Sequence, residues 1–356
     1  MKITLAQLNQ TVGDIDANSK RIIDAINRAR DDGADLVVFP ELSICGYPPR
    51  DLLLVEDFVS RCAQAIKSIG EHHTKGIAVI LGTPLPTDQG TTNSLVVYQG
   101  GVMLGYHDKR LLPTYDVFDE DRYFEPGHRP VVIDIAGTKV GLAICEDLWR
   151  GSDAGFSSKY DNEPDHVAEL VTHGATLIIA PSASPFVLGK DDKHQSILRS
   201  HAKRFGVAVV SVNQVGGNDD LVFAGMSSII LPGGSTGIQC AAFQEDLQTV
   251  DLDTCTPIDQ IPLDPEHQII EALTLGVRDY VRKCGFSKGC IGLSGGIDSA
   301  IVAALAVRAL GSDSVIGASM PGKFSSDGSK SDAYDLADNL GITCITPDRP
   351  RIPRRR

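Results

Sequence analysis

The stretch "VGLAICEDLWRG", Val140–Gly151, runs a string of apolar residues straight into a cysteine and sets two carboxylates behind it. A strand covered on both faces reads as a continuous apolar run, so Val140–Ile144 predicts an interior strand, and Cys145, Glu146 and Asp147 mark its exit into a turn. A cysteine buried only for packing has no use for two acids beside it. Either the strand simply ends there, or the sulfur is placed to react.

Outward from this stretch, "VVIDIAGTKVGLAIC" predicts a hairpin turning near Gly137, while "ATLIIAPS" and "VAVVSVNQV" predict buried strands separated by a helix over "HQSILRSHAKRFG". Toward the N-terminus, "ITLAQLN", "SKRIIDAINRARDDG" and "ADLVVFP" form a βαβ rhythm, with Ile22, Ile23, Ile26 and Ala29 at helical spacing. "SLVVYQGGVMLGYHDK" predicts a second hairpin, turning at Gly100-Gly101. Hairpins mixed with crossovers imply an α/β sandwich rather than a purely parallel sheet.

At 356 residues the chain exceeds one ordinary core and is expected to divide into at least two domains. Hydrophobic residues at 42% and charged ones at 22% are a soluble globular balance, with no run long enough to cross a bilayer and no signal-peptide core; a cytoplasmic protein is expected. The net charge of -13 argues against a nucleic-acid partner. The cysteines form no C-x-x-C pair, so no structural metal site is expected.

Residues 1–250 are read as the first domain and 251–264, rich in proline, as a linker. Asp264 as N-cap, Pro265 in the first turn and Gly285 past the end predict a new helix, followed by "GCIGLS", "SAIVAALAVRALG", "SVIGASMP", "SDAYDLADNLG" and "ITCIT" as alternating strands and helices of a second domain over 265–346. The last ten residues, 347–356, hold three prolines and five arginines and cannot continue a sheet, which suggests a premature end or a reading-frame change after Thr346.

Chemistry at Cys145 needs a group to move the thiol proton and a cationic or N–H donor where an oxyanion develops. Two other strand ends offer candidates: "VVFPEL" carries Glu41 at its exit, and "GYHDKRLLP" leaves its hairpin with Lys109. Singly, each reads as a core cysteine, a surface acid and a solvated lysine.

Together, "FPEL", "DKRLLP" and "CEDLW" resemble the carbon–nitrogen hydrolase (nitrilase-like) superfamily, over Met1 to about Val250. "AICEDLW" looks most like the glutaminase domain of the glutamine-dependent NAD synthetases. The resemblance implies a nitrilase-like α-β-β-α sandwich in which Cys145 is the nucleophile, Glu41 the general base and Lys109 the oxyanion stabiliser. It implies L-glutamine binding through Tyr115, Ser184 and Lys190, with Ser182 a weaker candidate and Glu120 a supporting acid. The ion pair with Lys109 is expected to lower the thiol pKa against burial and the neighbouring acids, while Glu146 and Asp147 hold loops.

"GCIGLSGGIDSA" places a strand before Ser294, Gly295 and Gly296 and a helix after Asp298 and Ser299, a loop that presents backbone N–H groups and a helix N-terminus to an anion. The G-x-S-x-G pattern within it fails as a nucleophile elbow because the last histidine is His267, and no G-K-[ST] follows. The string resembles the pyrophosphate loop of the ATP pyrophosphatase group. That resemblance implies ATP binding by Gly292, Leu293, Ser294, Gly295, Gly296, Ile297, Asp298 and Ser299, and a partial adenine-nucleotide α hydrolase-like (Rossmann-type) parallel sheet. ATP with Mg²⁺ would then adenylate deamido-NAD⁺, and ammonia from the first site would displace AMP. Because the match stops near Thr346, glutamine hydrolysis is expected to survive in this chain and NAD synthesis is not. Two rival readings are a stand-alone nitrilase-like amidase and a non-catalytic subunit; a homo-oligomer is expected in each case.

Overall fold

A computed structural model describes residues 1–149, 163–259, 264–322 and 325–347, with the side chains of 190–192 outside it. The chain divides into two compact units, Met1–Pro265 and Glu266–Arg356.

In the first unit, one six-stranded sheet has the order β14-β1-β2-β3-β4-β5: Asp246–Asp251, Lys2–Gln7, Leu36–Val38, Ala78–Thr87, Gly90–Gln99 and Val102–Asp108. A second has the order β13-β12-β9-β8-β7-β6: Thr236–Gln239, Ser228–Ile230, Ala208–Asn213, Leu177–Ser182, Thr138–Leu142 and Val131–Ile135. The period-2 alternation of strand side chains divides the apolar residues between layers. Leu36, Val38, Ala78 and Ile80 face Leu142, Ile144, Leu177 and Ile179 in the core between the sheets. Val37, Phe39, Val79 and Leu81 point the other way, onto helices α1 (Ile15–Asp31) and α2 (Phe58–His73). On the far face of the second sheet, Ile178, Ala180 and Val209 pack with Leu170 of α3 (His166–Thr172) and with Ile197, Leu198 and Ala202 of α4 (Lys190–Phe205). The four layers are the expected α-β-β-α sandwich.

Both hairpins turn where expected, with β4 paired to β5 around Gly100-Gly101 and β6 to β7 around Ala136-Gly137. Strand β14 was not foreseen, since residues past Gly237 show little periodicity. Its side chains are only half-buried and it pairs antiparallel to β1 at the sheet edge, where hydrogen bonds rather than an apolar face place it. A short two-stranded ribbon, Val215–Asn218 with Leu221–Ala224, completes the described strands of this unit.

The second unit holds three parallel strands in the order β15-β16-β17, Gly289–Leu293, Val315–Ser319 and Thr343–Ile345. They are joined by α6 (Ile297–Leu310) and α7 (Asp327–Leu340), with α5 (Pro265–Lys283) ahead of them. Its small core joins Leu293, Ala303, Val315, Ala333 and Ala337. Among the described residues no helix is long and apolar enough to cross a membrane, and the Pro/Arg-rich stretch from 348 onward lies outside the description.

Candidate active site

Three strand ends meet in the first unit. Beyond β2, Phe39-Pro40 carries Glu41 under β3, where a Cβ at Gly82 would stand 2.4 Å from the Leu42 nitrogen and 2.7 Å from the Pro40 carbonyl oxygen. Only glycine admits that crossing. Lys109 follows β5, its backbone N–H donating to the Asn93 carbonyl at 2.8 Å. Past β7, Ala143 still bonds to Ile179 O at 3.0 Å, and Cys145 then opens a short 3-10 turn, Cys145–Leu148, at a φ of 41°. A non-glycine residue in that region costs on the order of 1–3 kcal/mol and persists only where its surroundings hold it.

The three groups share one buried environment. Lys109 Nζ donates to Glu41 Oε1 at 2.7 Å and to Glu120 Oε1 at 2.8 Å. Glu41 also accepts from Asn93 Nδ2 at 2.7 Å and from the Ala183 backbone N–H at 3.0 Å, and Tyr47 donates its hydroxyl to Glu120 at 2.8 Å. Relative exposures are 0% for Glu41, 1% for Lys109, 4% for Glu120 and 6% for Cys145. The Cys145 sulfur lies in the fields of Glu41, Lys109, Glu146 and Glu120.

Burial disfavours the Lys109 ammonium, but the carboxylates of Glu120 and Glu41 outweigh it and hold this group charged well above the ordinary lysine value. Two of its three protons go to those carboxylates, leaving one for a developing oxyanion. Burial pushes Glu120 up to about 7 against the pull of Lys109, and its Oε2 has no hydrogen-bond partner among the described residues. The Cys145 thiol corrects one expectation: burial and Glu41 raise it well above its ordinary value and Lys109 does not prevail. A thiol raised in this way favours its protonated form, so chemistry at this sulfur would need a base to take the proton.

Of the residues assigned to glutamine, Tyr115 donates its hydroxyl to both oxygens of buried Glu146, at 3.0 and 3.1 Å, and feels the charges of Cys145 and Lys109. Ser184 is half-buried, fixed through its backbone by Asn213, whose Oδ1 accepts from its N–H at 2.9 Å. Ser182 bonds back to Ala180 O at 3.4 Å. The Lys190 side chain lies outside the described residues. Sequence reading missed Asn93, Tyr47 and the Ala183 N–H, all of which hold Glu41 or Glu120. A signal for Asn93 existed: Thr91, Thr92, Asn93 and Ser94 are four consecutive polar residues leading into the apolar run Leu95–Tyr98, and the last three of them are buried.

Behind Cys145, His107, Asp147 and His166 lie close enough to suggest a metal site. Their hydrogen bonds argue otherwise. His166 Nε2 donates to Leu142 O at 2.8 Å and its Nδ1 accepts from the Arg110 guanidinium at 2.9 Å, so both nitrogens are taken and a cation already stands there. Burial holds His166 neutral down to about 4.

In the second unit, the loop between β15 and α6 is built on Gly295, at a φ of 77° and with its Cα so near α7 that a Cβ would meet Ser329 O at 2.3 Å. Ser294 Oγ accepts from Gly296 N–H at 3.2 Å and lies 3.1 Å from Ser299 Oγ. Gly296 caps α6 with no side-chain bond, and Ile297 and Asp298 are exposed at the helix N-terminus, so the chain leads its amide donors to the surface there.

The carbon-nitrogen hydrolase family matches residues 2–259, and the NAD synthase family matches residues 269–352. Glutamine-dependent NAD(+) synthetases of Synechocystis sp. and Aquifex aeolicus are 42% and 40% identical over 97% and 96% of this chain, which spans 64% of the length of each. The structure of glutamine-dependent NAD+ synthetase from Acinetobacter baumannii in complex with ADP superposes with a TM-score of 0.88 at 36% identity, over 96% of this chain and 64% of that one. An amidase from Nesterenkonia sp. superposes with a TM-score of 0.61 at 25% identity, over 71% of this chain and 90% of that one. With a matched segment that takes in Glu41, Lys109 and Cys145 and most of the chain besides, this protein belongs to the carbon–nitrogen hydrolase family.

Proposed function

We propose that the first unit hydrolyses the side-chain amide of L-glutamine and that the protein as a whole is a glutamine-dependent NAD(+) synthetase. The observation that carries the reading is the Lys109 ammonium held at 2.7 Å from Glu41 Oε1 in the buried surroundings it shares with Cys145. Glu41 takes the thiol proton as sulfur adds to the amide carbon, and the third proton of Lys109 meets the oxyanion. Glu41 then passes its proton to the departing nitrogen, releasing ammonia and leaving a thioester. Water, deprotonated by the same carboxylate, cleaves the thioester to glutamate and restores the thiol. The Tyr115–Glu146 pair supplies a buried negative charge for the substrate's α-ammonium, and Ser184 and Lys190 are assigned to its carboxylate.

The loop Gly292–Ser299 is assigned to the phosphates of ATP. Asp298 offers a carboxylate beside them for Mg²⁺, which screens phosphate charge when bound with nucleotide. Deamido-NAD⁺ reacts with ATP to an adenylate and diphosphate, and ammonia displaces AMP to give NAD⁺. Similarity to the synthetases over both matched segments supports this half of the reading. The exposed Val102, Met103, Leu104 and Tyr106 on edge strand β5 support a homo-oligomer.

Incubation with L-glutamine should release ammonia and glutamate, and Cys145→Ala should abolish both. Turnover of another small amide with glutamine inert would move the reading to an amidase of different substrate. Unchanged hydrolysis in the Cys145→Ala protein would end it.

A further inference from the structure

Asp147 is bonded to both sheets of the sandwich. Its Oδ1 accepts from the backbone N–H of Arg110 at 2.9 Å and of Leu111 at 3.0 Å, the two residues that follow Lys109. Its Oδ2 accepts from the backbone N–H of Ile144 at 2.8 Å, the residue before Cys145, and faces His107 Nε2 at 3.0 Å, two residues before Lys109. The Asp147 and His107 side chains are fully buried. His107 is held in turn: its ring stacks on His166 with centroids 4.9 Å apart, and His166 is tied to Leu142 at the end of β7 and to the Arg110 side chain.

Lys109 and Cys145 arrive from different sheets, so the gap between them depends on contacts that join the two segments. A carboxylate is suited to fix it, because it accepts on both oxygens and donates on neither. We propose that Asp147 is a positioning residue that sets the separation of the Lys109 ammonium and the Cys145 sulfur, clamping the segment after β5 to the turn after β7. The proposal rests on the amide-hydrolysis reading only for its effect on turnover; the geometry it asserts concerns the thiol itself.

Asparagine at 147 cannot accept on both sides. With its oxygen toward Arg110 and Leu111, its amide group confronts the Ile144 N–H, and the turn carrying Cys145 loses its tie. His107 does not relieve this, because a tautomer change satisfies only its own nitrogen.

The test is the rate of iodoacetamide labelling of Cys145 in the full-length chain at pH 8, followed by peptide mass, for the parent, Asp147→Asn, His107→Leu and a packing control, Leu170→Ala. Labelling needs the thiol proton removed beside Glu41 and Lys109 but needs no substrate. Asp147→Asn should label at least tenfold more slowly and His107→Leu about fivefold more slowly, while Leu170→Ala labels like the parent even where its melting temperature falls as far. In glutamine turnover the Asp147→Asn loss should appear in kcat, with KM changed less than about threefold. If Asp147→Asn yields no soluble protein, His107→Leu decides alone. Labelling as fast as the parent, or a loss matched by Leu170→Ala, overturns the clamp. A parent that hydrolyses no glutamine but shows Asp147-dependent labelling overturns the substrate reading and leaves the clamp standing.

Discussion

Lys109 Nζ sits 2.7 Å from Glu41 Oε1, although 68 residues of chain separate the two and both side chains are 1% exposed. With Glu120 on its other side, the ammonium stands between two buried carboxylates. Removing it leaves buried carboxylates without their countercharge, which typically costs about 3–5 kcal/mol.

Lys109→Met should therefore lose stability on that scale and lose amide hydrolysis by about 10²–10³-fold or more, the effect of deleting an oxyanion donor. Urea denaturation and ammonia release measure the two. Wild-type turnover in this variant would remove Lys109 from the reaction.

Glu120 supplies a pH prediction with a definite sign. Its folded-state pKa of about 7 stands above the ordinary 4.5, so between those values the folded chain holds a proton that the unfolded chain has released. Stability should fall as pH rises from about 4.5 to 7, by as much as about 3 kcal/mol from this group. Glu120→Gln keeps the neutral shape at every pH, so the variant should match the parent near pH 4.5 and exceed it at pH 8. Melting curves across that range check it, and parallel curves would contradict it.

Gly82→Ala should damage Glu41 without touching it. The added methyl meets backbone atoms of Pro40 and Leu42, which must move. We expect a loss of about 1–3 kcal/mol and a fall in kcat of about 10²-fold from misplacement of the base, read by thermal melts and steady-state kinetics. Parent kinetics would show that the crossing tolerates a side chain.

Gly295→Ala tests the second unit separately. Both its φ of 77° and the 2.3 Å approach of Ser329 O forbid a side chain without a shift of the loop. Calorimetric titration with ATP should show binding weakened at least tenfold, with glutamine hydrolysis by the first unit unchanged. Equal ATP affinity would move the phosphate site elsewhere.

Much of the fold was legible because it depends on local pattern. Apolar runs, helical spacing and glycine turns marked many of the strands and helices of both units, though not the helices Phe58–His73 and His166–Thr172 or the strand Ala78–Thr87, and a strand ending in "CEDL" located the turn that carries Cys145. Strand β14 was not legible, since an edge strand held by backbone bonds and half exposed carries little apolar alternation. Of the site, Glu41, Lys109 and Cys145 were identified through their likeness to a family; in isolation each reads as an ordinary residue of its type.

The chain's own order of residues determined which elements form and which side chains stand at their ends, because propensity and periodicity act over a few neighbouring residues. Only the tertiary structure decided that burial and Glu41 raise the Cys145 thiol, that Glu120 bonds Lys109, and that Asp147 bonds the segments after β5 and β7. Those outcomes depend on burial and on distances between residues far apart in the chain, and the energy of a charge or a hydrogen bond is set by the surroundings that folding brings to it.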